Sequence, residues 1–545
     1  MTTMKTRALL FGIALGAIAL SSCSNDDNTK DQKEETQGVH FTIIEEGFGA
    51  DTELTRATPS TQPQIIEAGD CEAEISIERA PAEKLVATRG VTTPVHYTIR
   101  AYHNGTLRGE MKGTFTPTGF TPDAGYNAYM LLGRNHTYDF VCFNDKVTPN
   151  GNNLDVTLAN AKDARIGHQQ IALTTVDQTI NLSSKHVGCR IQTMIRCKKH
   201  LPATTATFAS RGATVPQTVS YNPATDTYTP TATTTIPTTA NNSPASTETI
   251  YSSSVYGEAY NYSSICPDYH YVLPTTDAKN LQLNFTGGTI FWNPLNFSIS
   301  GLSTTSKPLI ANGSYTINIK MKPQFTYLMS NGDIGTFRET TFGGGSKTPI
   351  AVVLNRGTHM AIALNNTVYT PSWSTSSYHW LQTNTHSVAN LTDALTSQAT
   401  SGIEETWNPA YTHSNVTGNK VKALNPDFPP FNGAANYNPG TAYTGLTPLQ
   451  WYLPSFSDWK WIYPLGFGDT PVGYGNHYWY GNLVNEAFTQ VGGVKITNRS
   501  YWSSTEEGIP GDYSGAGTAT LEQSYFALYS GRKYHHYPIR PFVKY

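Results

Sequence analysis

Between residues 39 and 325, apolar and polar side chains alternate with the two-residue period of half-buried strands. Val39-His40-Phe41-Thr42-Ile43 opens the series, and Ala73, Ile75 and Ile77 repeat it. Val95, Tyr97, Ile99 and Ala101 alternate up to Asn104-Gly105, a dipeptide that tolerates positive φ at both positions and so marks a tight hairpin. Tyr138, Phe140 and Cys142 predict another strand. So do Val187 to Cys197, Leu281 to Phe285, and Tyr315 to Met321. No long stretch keeps a helical period. The pattern predicts two antiparallel β-sandwiches, residues 39–198 and residues 199–325.

The pattern changes after Pro323. Trp292 is the only tryptophan before that point, and the other eight lie between Trp373 and Trp502. Pro349 to Leu354 and Met360 to Leu364 predict short apolar strands. Trp451-Tyr452-Leu453-Pro454 predicts a strand that runs into a helix. Ser455 caps that helix, and Asp458 suits its positive N-terminus. Residues 326–545 are therefore expected to form a third, α+β unit, with Trp451, Trp459 and Trp502 in its core.

Composition agrees with a strand-rich protein. Of 545 residues, 38% are hydrophobic and only 14% charged, while Gly (45) and Tyr (32) are abundant. The net charge of −3 supplies no basic field for a phosphate backbone, so nucleic acid is not an expected partner.

At the N-terminus, Lys5 and Arg7 precede an apolar run from Ala8 to Leu20, too short to span a bilayer and suited to a signal segment. Leu20-Ser21-Ser22-Cys23 resembles a bacterial lipoprotein signal. The resemblance implies removal of residues 1–22, acylation of Cys23 and a lipid anchor. Residues 23–38 are polar and charged, as a solvated tether would be. Their Ser24-Asn25-Asp26-Asp27 start resembles the surface-export signal of Bacteroidetes lipoproteins, which implies exposure on the outer membrane. The remaining cysteines (Cys71, Cys142, Cys189, Cys197, Cys266) form no CxxC pair. On one strand, Cys189 and Cys197 would lie about 26 Å apart, too far to bond. The five are expected to be small buried hydrophobes.

Leu131-Leu132-Gly133-Arg134-Asn135-His136-Thr137-Tyr138-Asp139-Phe140-Val141 resembles a signature of fimbrillins, the lipoprotein-derived pilins of Bacteroidetes fimbriae. Asn312-Gly313-Ser314-Tyr315-Thr316-Ile317-Asn318-Ile319 resembles the strand that closes their second domain. Leu54-Thr55-Arg56-Ala57-Thr58 resembles their processing site. The resemblance implies two transthyretin-like sandwiches, cleavage after Arg56 (or after Arg89) and assembly with other fimbrial subunits by strand exchange.

Trp451-Tyr452-Leu453-Pro454-Ser455-Phe456-Ser457-Asp458-Trp459, then Tyr501-Trp502-Ser503-Ser504-Thr505-Glu506, then Ile539-Arg540-Pro541-Phe542-Val543 resemble the C-type-lectin-like module of exported Bacteroidetes proteins. That fold also hosts formylglycine-generating enzymes, which use active-site cysteines, and this chain has no Cys after Cys266. Glu-Pro-Asn and Gln-Pro-Asp, the calcium-site tripeptides of sugar lectins, are absent. So are HExxH and GxSxG. No catalytic residue, metal or cofactor is expected.

The candidate ligand loop is Gly473 to Asn482, with Tyr474, Asn476, Tyr478, Trp479 and Tyr480 offering aromatic faces and hydrogen-bonding edges to a glycan or a protein surface. The sequence thus points to a surface-exposed fimbrial subunit, most sharply a tip adhesin. The alternative is a stand-alone glycan-binding lipoprotein.

Overall fold

The computed structural model describes residues 35–49, 63–80, 91–246, 257–396, 400–466, 473 and 475–545. Cys23, Arg56, Arg89 and Tyr474 lie outside the described residues. The described residues are mainly β, with six sheets and a few short helices among them.

The first strand, β1, spans Thr36–Glu45, so the last residues of the expected tether belong to it. It lies in an eight-stranded sheet. From one edge the order is Gly119–Pro122, Thr106–Thr116, Val95–His103, Thr137–Asn144, Arg165–Ala172, Gln178–His186, β1 and Met130–Gly133. The hairpin at Asn104-Gly105 is present, with φ of 49° and 74°. One core of this unit, built from Val39, Phe41, Tyr97, Ile99, Met111 and Phe140 among others, draws almost entirely on this single sheet. The sheet therefore folds over on itself. Gly109 lies where a side chain would collide with Met130 of the far edge strand. The opposite face, with Val141 and Phe143, packs on a four-stranded sheet containing Asn153–Thr157 and Val215–Asn222.

The second unit does not begin at residue 199. Its main sheet runs Tyr262–Ile265, Cys189–Cys197, Ser314–Pro323, Cys71–Arg79 and Gln64–Glu67. Three strands from the 39–198 stretch thus belong to it, while Val215–Asn222 pairs back onto the first unit. Alternation shows that one face of a strand is buried; it does not name the partner, and Ile77 pairs with Ile317, far along the chain. The five described cysteines are buried free thiols. Burial pushes the Cys142 thiol up to about 12 and the Cys197 thiol to about 11.

The third unit joins a six-stranded sheet, in which Phe542–Lys544 lies between Met360–Ala363 and Gln450–Tyr452, to the four-stranded sheet Gly475–Tyr478, Tyr525–Arg532, Asp512–Leu521 and Arg499–Ile509. Ser455 caps the helix Phe456–Trp459 in a reciprocal box. Its Oγ accepts from the Asp458 amide at 3.3 Å, and its own amide donates to Asp458 Oδ2 at 2.9 Å. Trp451, Trp459 and Trp502 are buried. This unit docks on the second. Lys198 pairs with Glu486 at 2.9 Å, and Trp292 Nε1 donates to the Pro464 carbonyl at 3.0 Å. Among the described residues, no helix is long and apolar enough to cross a membrane.

Candidate functional site

Two features bear on the role expected from the sequence: the slot that holds β1, and the surface of the third unit. The slot has Gln178–His186 on one side, parallel to β1 from Val39↔Gln178 to Glu45↔Ser184. Met130–Gly133 forms the other side, antiparallel from Thr36↔Gly133 to Val39↔Met130. Val39, Phe41 and Ile43 point inward and are buried, and Phe41 meets Phe140 edge-on at 5.3 Å. Burying three such side chains is worth about 1.5–3 kcal/mol each.

The strand leaves the sheet through a short anchored segment. The Tyr97 hydroxyl donates to Glu45 at 2.7 Å, Arg165 donates to the Glu46 carbonyl at 2.8 Å, and the Gly49 amide donates to the Asn312 carbonyl at 2.7 Å. Phe48 stacks on His186 with ring centroids 3.7 Å apart. Burial, aided by the neighbouring Arg165, pulls the His186 pKa down to about 3, so this ring is a neutral aromatic surface.

On the third unit, the expected ligand residues do not form one surface. Gly475–Tyr478 is an edge strand paired with Tyr525–Arg532, not a loop. Asn476 and Tyr478 share its solvent face. Tyr478 is 64% exposed, and Asn476 accepts a hydrogen bond from the Tyr529 hydroxyl. Trp479 is core, only 1% exposed. Its indole lies parallel to Tyr463 at 6.4 Å, and its Nε1 donates to the Glu522 carbonyl at 2.6 Å. Tyr480 is also buried. Its hydroxyl accepts from the His200 amide at 2.9 Å, so it serves the junction between units. The strand ends at Tyr478, and the next two residues turn beneath the sheet, where indole and phenol find backbone partners.

A different surface has the expected character. A cleft of about 850 Å³ is lined by Tyr369, Pro371, Pro429, Asn436, Tyr437 and Ile539, among others. At its rim Val368 is 92% and Tyr369 74% exposed. Trp380, 63% exposed, lies with Tyr534 at a ring separation of 6.3 Å. Sequence reasoning missed these residues because they lie in turns without periodicity. The available signal was a run of aromatics among Thr, Pro and Ser.

The interior of this unit also holds charges that the sequence did not reveal. Glu506 and Lys533 form a fully buried ion pair. Glu506 further accepts from the amides of Thr383 (2.8 Å) and Asn384 (2.6 Å) and from the Thr383 hydroxyl (2.9 Å). Glu405 and Lys422 are buried in the same interior. Among the described residues, no group of three or more His, Cys, Asp or Glu side chains is placed to hold a metal ion.

No protein-family model and no curated protein matches the chain. Among solved structures, it is similar to a fimbrial protein from Bacteroides ovatus, at 11% identity over 93% of this chain and 99% of that one, with a TM-score of 0.23. A fimbrial protein from Bacteroides vulgatus aligns at 14% identity over 44% and 90% of the two chains, with a TM-score of 0.23. The fimbrial anchor protein from Porphyromonas gingivalis aligns at 11% identity over 46% and 78%, with a TM-score of 0.22.

Proposed function

We propose that this chain is a lipoprotein-derived fimbrial subunit whose third unit is an adhesive head, with no catalytic role. The observation that supports this reading best is the seating of β1. It is an inner strand of the first unit, yet it stands at the start of the described chain, and the next described strands belong to a different sheet. Cleavage after Arg56 would release β1 and leave Gln178–His186 and Met130–Gly133 flanking an apolar slot. A strand from another subunit then fits it in the register given above. Cleavage after Arg89 would instead detach Cys71–Arg79, which holds Ala73, Ile75 and Ile77 in the second unit's core. Arg56 is therefore the favoured site. In this reading Cys23 carries the lipid that keeps the uncut chain on the outer membrane, and the head gives the subunit a tip position.

The N-terminal sequence of the protein from sheared fimbriae tests this. A start at Ala57 is expected. A start at Gly90 moves the site, and a start at Cys23 in assembled filaments overturns cleavage-driven assembly.

The second reading, a stand-alone surface lipoprotein that captures glycans, is favoured by the cleft at Tyr369 and Tyr437, where aromatic rings stand beside the amides of Asn366, Asn436 and Asn438. Antibody label along the cell surface and absent from filaments would select it.

A further inference from the structure

Lys422 has no access to solvent, and its ammonium group is enclosed by the rings of Trp373, Phe428 and Phe431, whose centroids lie 5.4, 5.0 and 5.0 Å from Nζ. The one polar side chain that Nζ meets is Asn384, whose carbonyl oxygen accepts from it. Asn384 is itself fully buried and is held by both of its backbone-side and amide groups. Its main-chain amide donates to Glu506 at 2.6 Å, and its Nδ2 donates to the Ser504 carbonyl at 3.0 Å. A second carboxyl, Glu405, lies in the same interior. Its Oε2 accepts from the Ser504 hydroxyl, and its Oε1 is buried without a hydrogen-bond partner. The two carboxyl groups differ in kind. Glu506 is saturated by Lys533, Thr383 and Asn384, whereas Glu405 keeps one oxygen uncommitted.

We propose that Lys422 and Asn384 are joined by an intramolecular isopeptide bond formed by the folded protein itself. The neutral Lys422 amine attacks Cγ of Asn384. The Nζ–Cγ bond forms, the Cγ–Nδ2 bond breaks, and Nδ2 leaves as ammonia with the proton lost by Nζ. Lysine amine and asparagine carboxamide thus become one secondary amide plus ammonia, with no oxidant or cofactor needed. Glu405 takes the proton from Nζ and returns it to the leaving nitrogen.

The environment suits these roles. Burial lowers the Lys422 pKa to about 8, which leaves neutral amine available near neutral pH. Burial raises the Glu405 pKa to about 8, so carboxylate and carboxyl forms are both accessible near neutral pH, and Glu405 can take a proton and give it back. Position favours reaction as well, since nucleophile and carbonyl are held in contact before any chemistry begins. The bond would close the loop between residues 384 and 422 in a unit that contains no cysteine, and so cross-links it without a disulfide. This inference does not depend on the fimbrial reading.

Tryptic digestion of the purified full-length protein with tandem mass spectrometry tests it. Trypsin is expected not to cut after Lys422. The segments 357–420 and 421–460 should appear as one branched peptide, lighter than their sum by one ammonia, with fragment ions that locate the branch at Asn384 and Lys422. Linear peptides ending at Lys422, together with an unmodified 357–420 segment, overturn the proposal, and this arm needs no variant to fold. Glu405→Gln, with folding checked by circular dichroism, should retain the fold and lose the branched peptide. A folded Glu405→Gln protein that is fully cross-linked overturns the role given to Glu405.

Discussion

Trp479 and Tyr478 are neighbours in sequence with opposite expected behaviour on substitution. Trp479→Ala removes a ring packed against Tyr463 and Phe526 and strands the Glu522 carbonyl. It is expected to cost about 3–5 kcal/mol. Tyr478→Ala deletes an exposed side chain and should stay within about 0.5 kcal/mol. Thermal denaturation of the two variants checks this, and equal melting temperatures would show that the indole does not support the core. The contrast also shows how far residues can be read in advance. The caps and core aromatics around Trp451-Tyr452-Leu453-Pro454-Ser455 were legible because capping is local chemistry. The fate of Trp479 was not, because Gly, Asn and aromatic residues compose a binding loop and a strand end equally well.

At the scale of the element, β1 is secured by inward side chains and by ladders on both edges. Phe41→Asp places an unpaired charge against Phe140, which the interior does not tolerate. The expected result in the full-length chain is release of β1 as a unit. Amide exchange should rise from Val39 to Glu45 and at Leu131 to Gly133, whose strand has β1 as its only described strand partner. It should rise far less at Thr137–Asn144, which keeps neighbours on both sides. Unchanged protection at Leu131–Gly133 would show that this edge holds without β1. The strands that the sequence pattern named are present, with ends correct to a few residues, while others such as Val215–Asn222 and Asp512–Leu521 were not picked out. Their allocation to sheets was not. Cys71–Arg79 and Cys189–Cys197 carry the same pattern whether they pair nearby or, as found, both lie against Ser314–Pro323.

At the scale of the molecule, the second and third units share one hydrophobic cluster, running from Ala73 and Ile317 through Tyr327 to Trp459 and Phe542. The Lys198–Glu486 pair and the Tyr480–His200 hydrogen bond cross the same junction. Residues that share a core unfold together, so these two units should give a single calorimetric transition. Two resolved transitions assignable to them would break this expectation. The junction was invisible in the sequence, where the change of composition at Pro323 looks like a boundary between independent bodies.

The parallel alignment of β1 with Gln178–His186 also has a mechanical meaning. Tension pulling on Thr36 along the strand axis loads every rung of the ladder at once, in shear. The same tension directed across the sheet opens the rungs one after another, as a zipper. If Cys23 carries the proposed lipid anchor, a chain pulled along β1 resists with the whole strand, and the direction of the load decides how firmly the first unit holds.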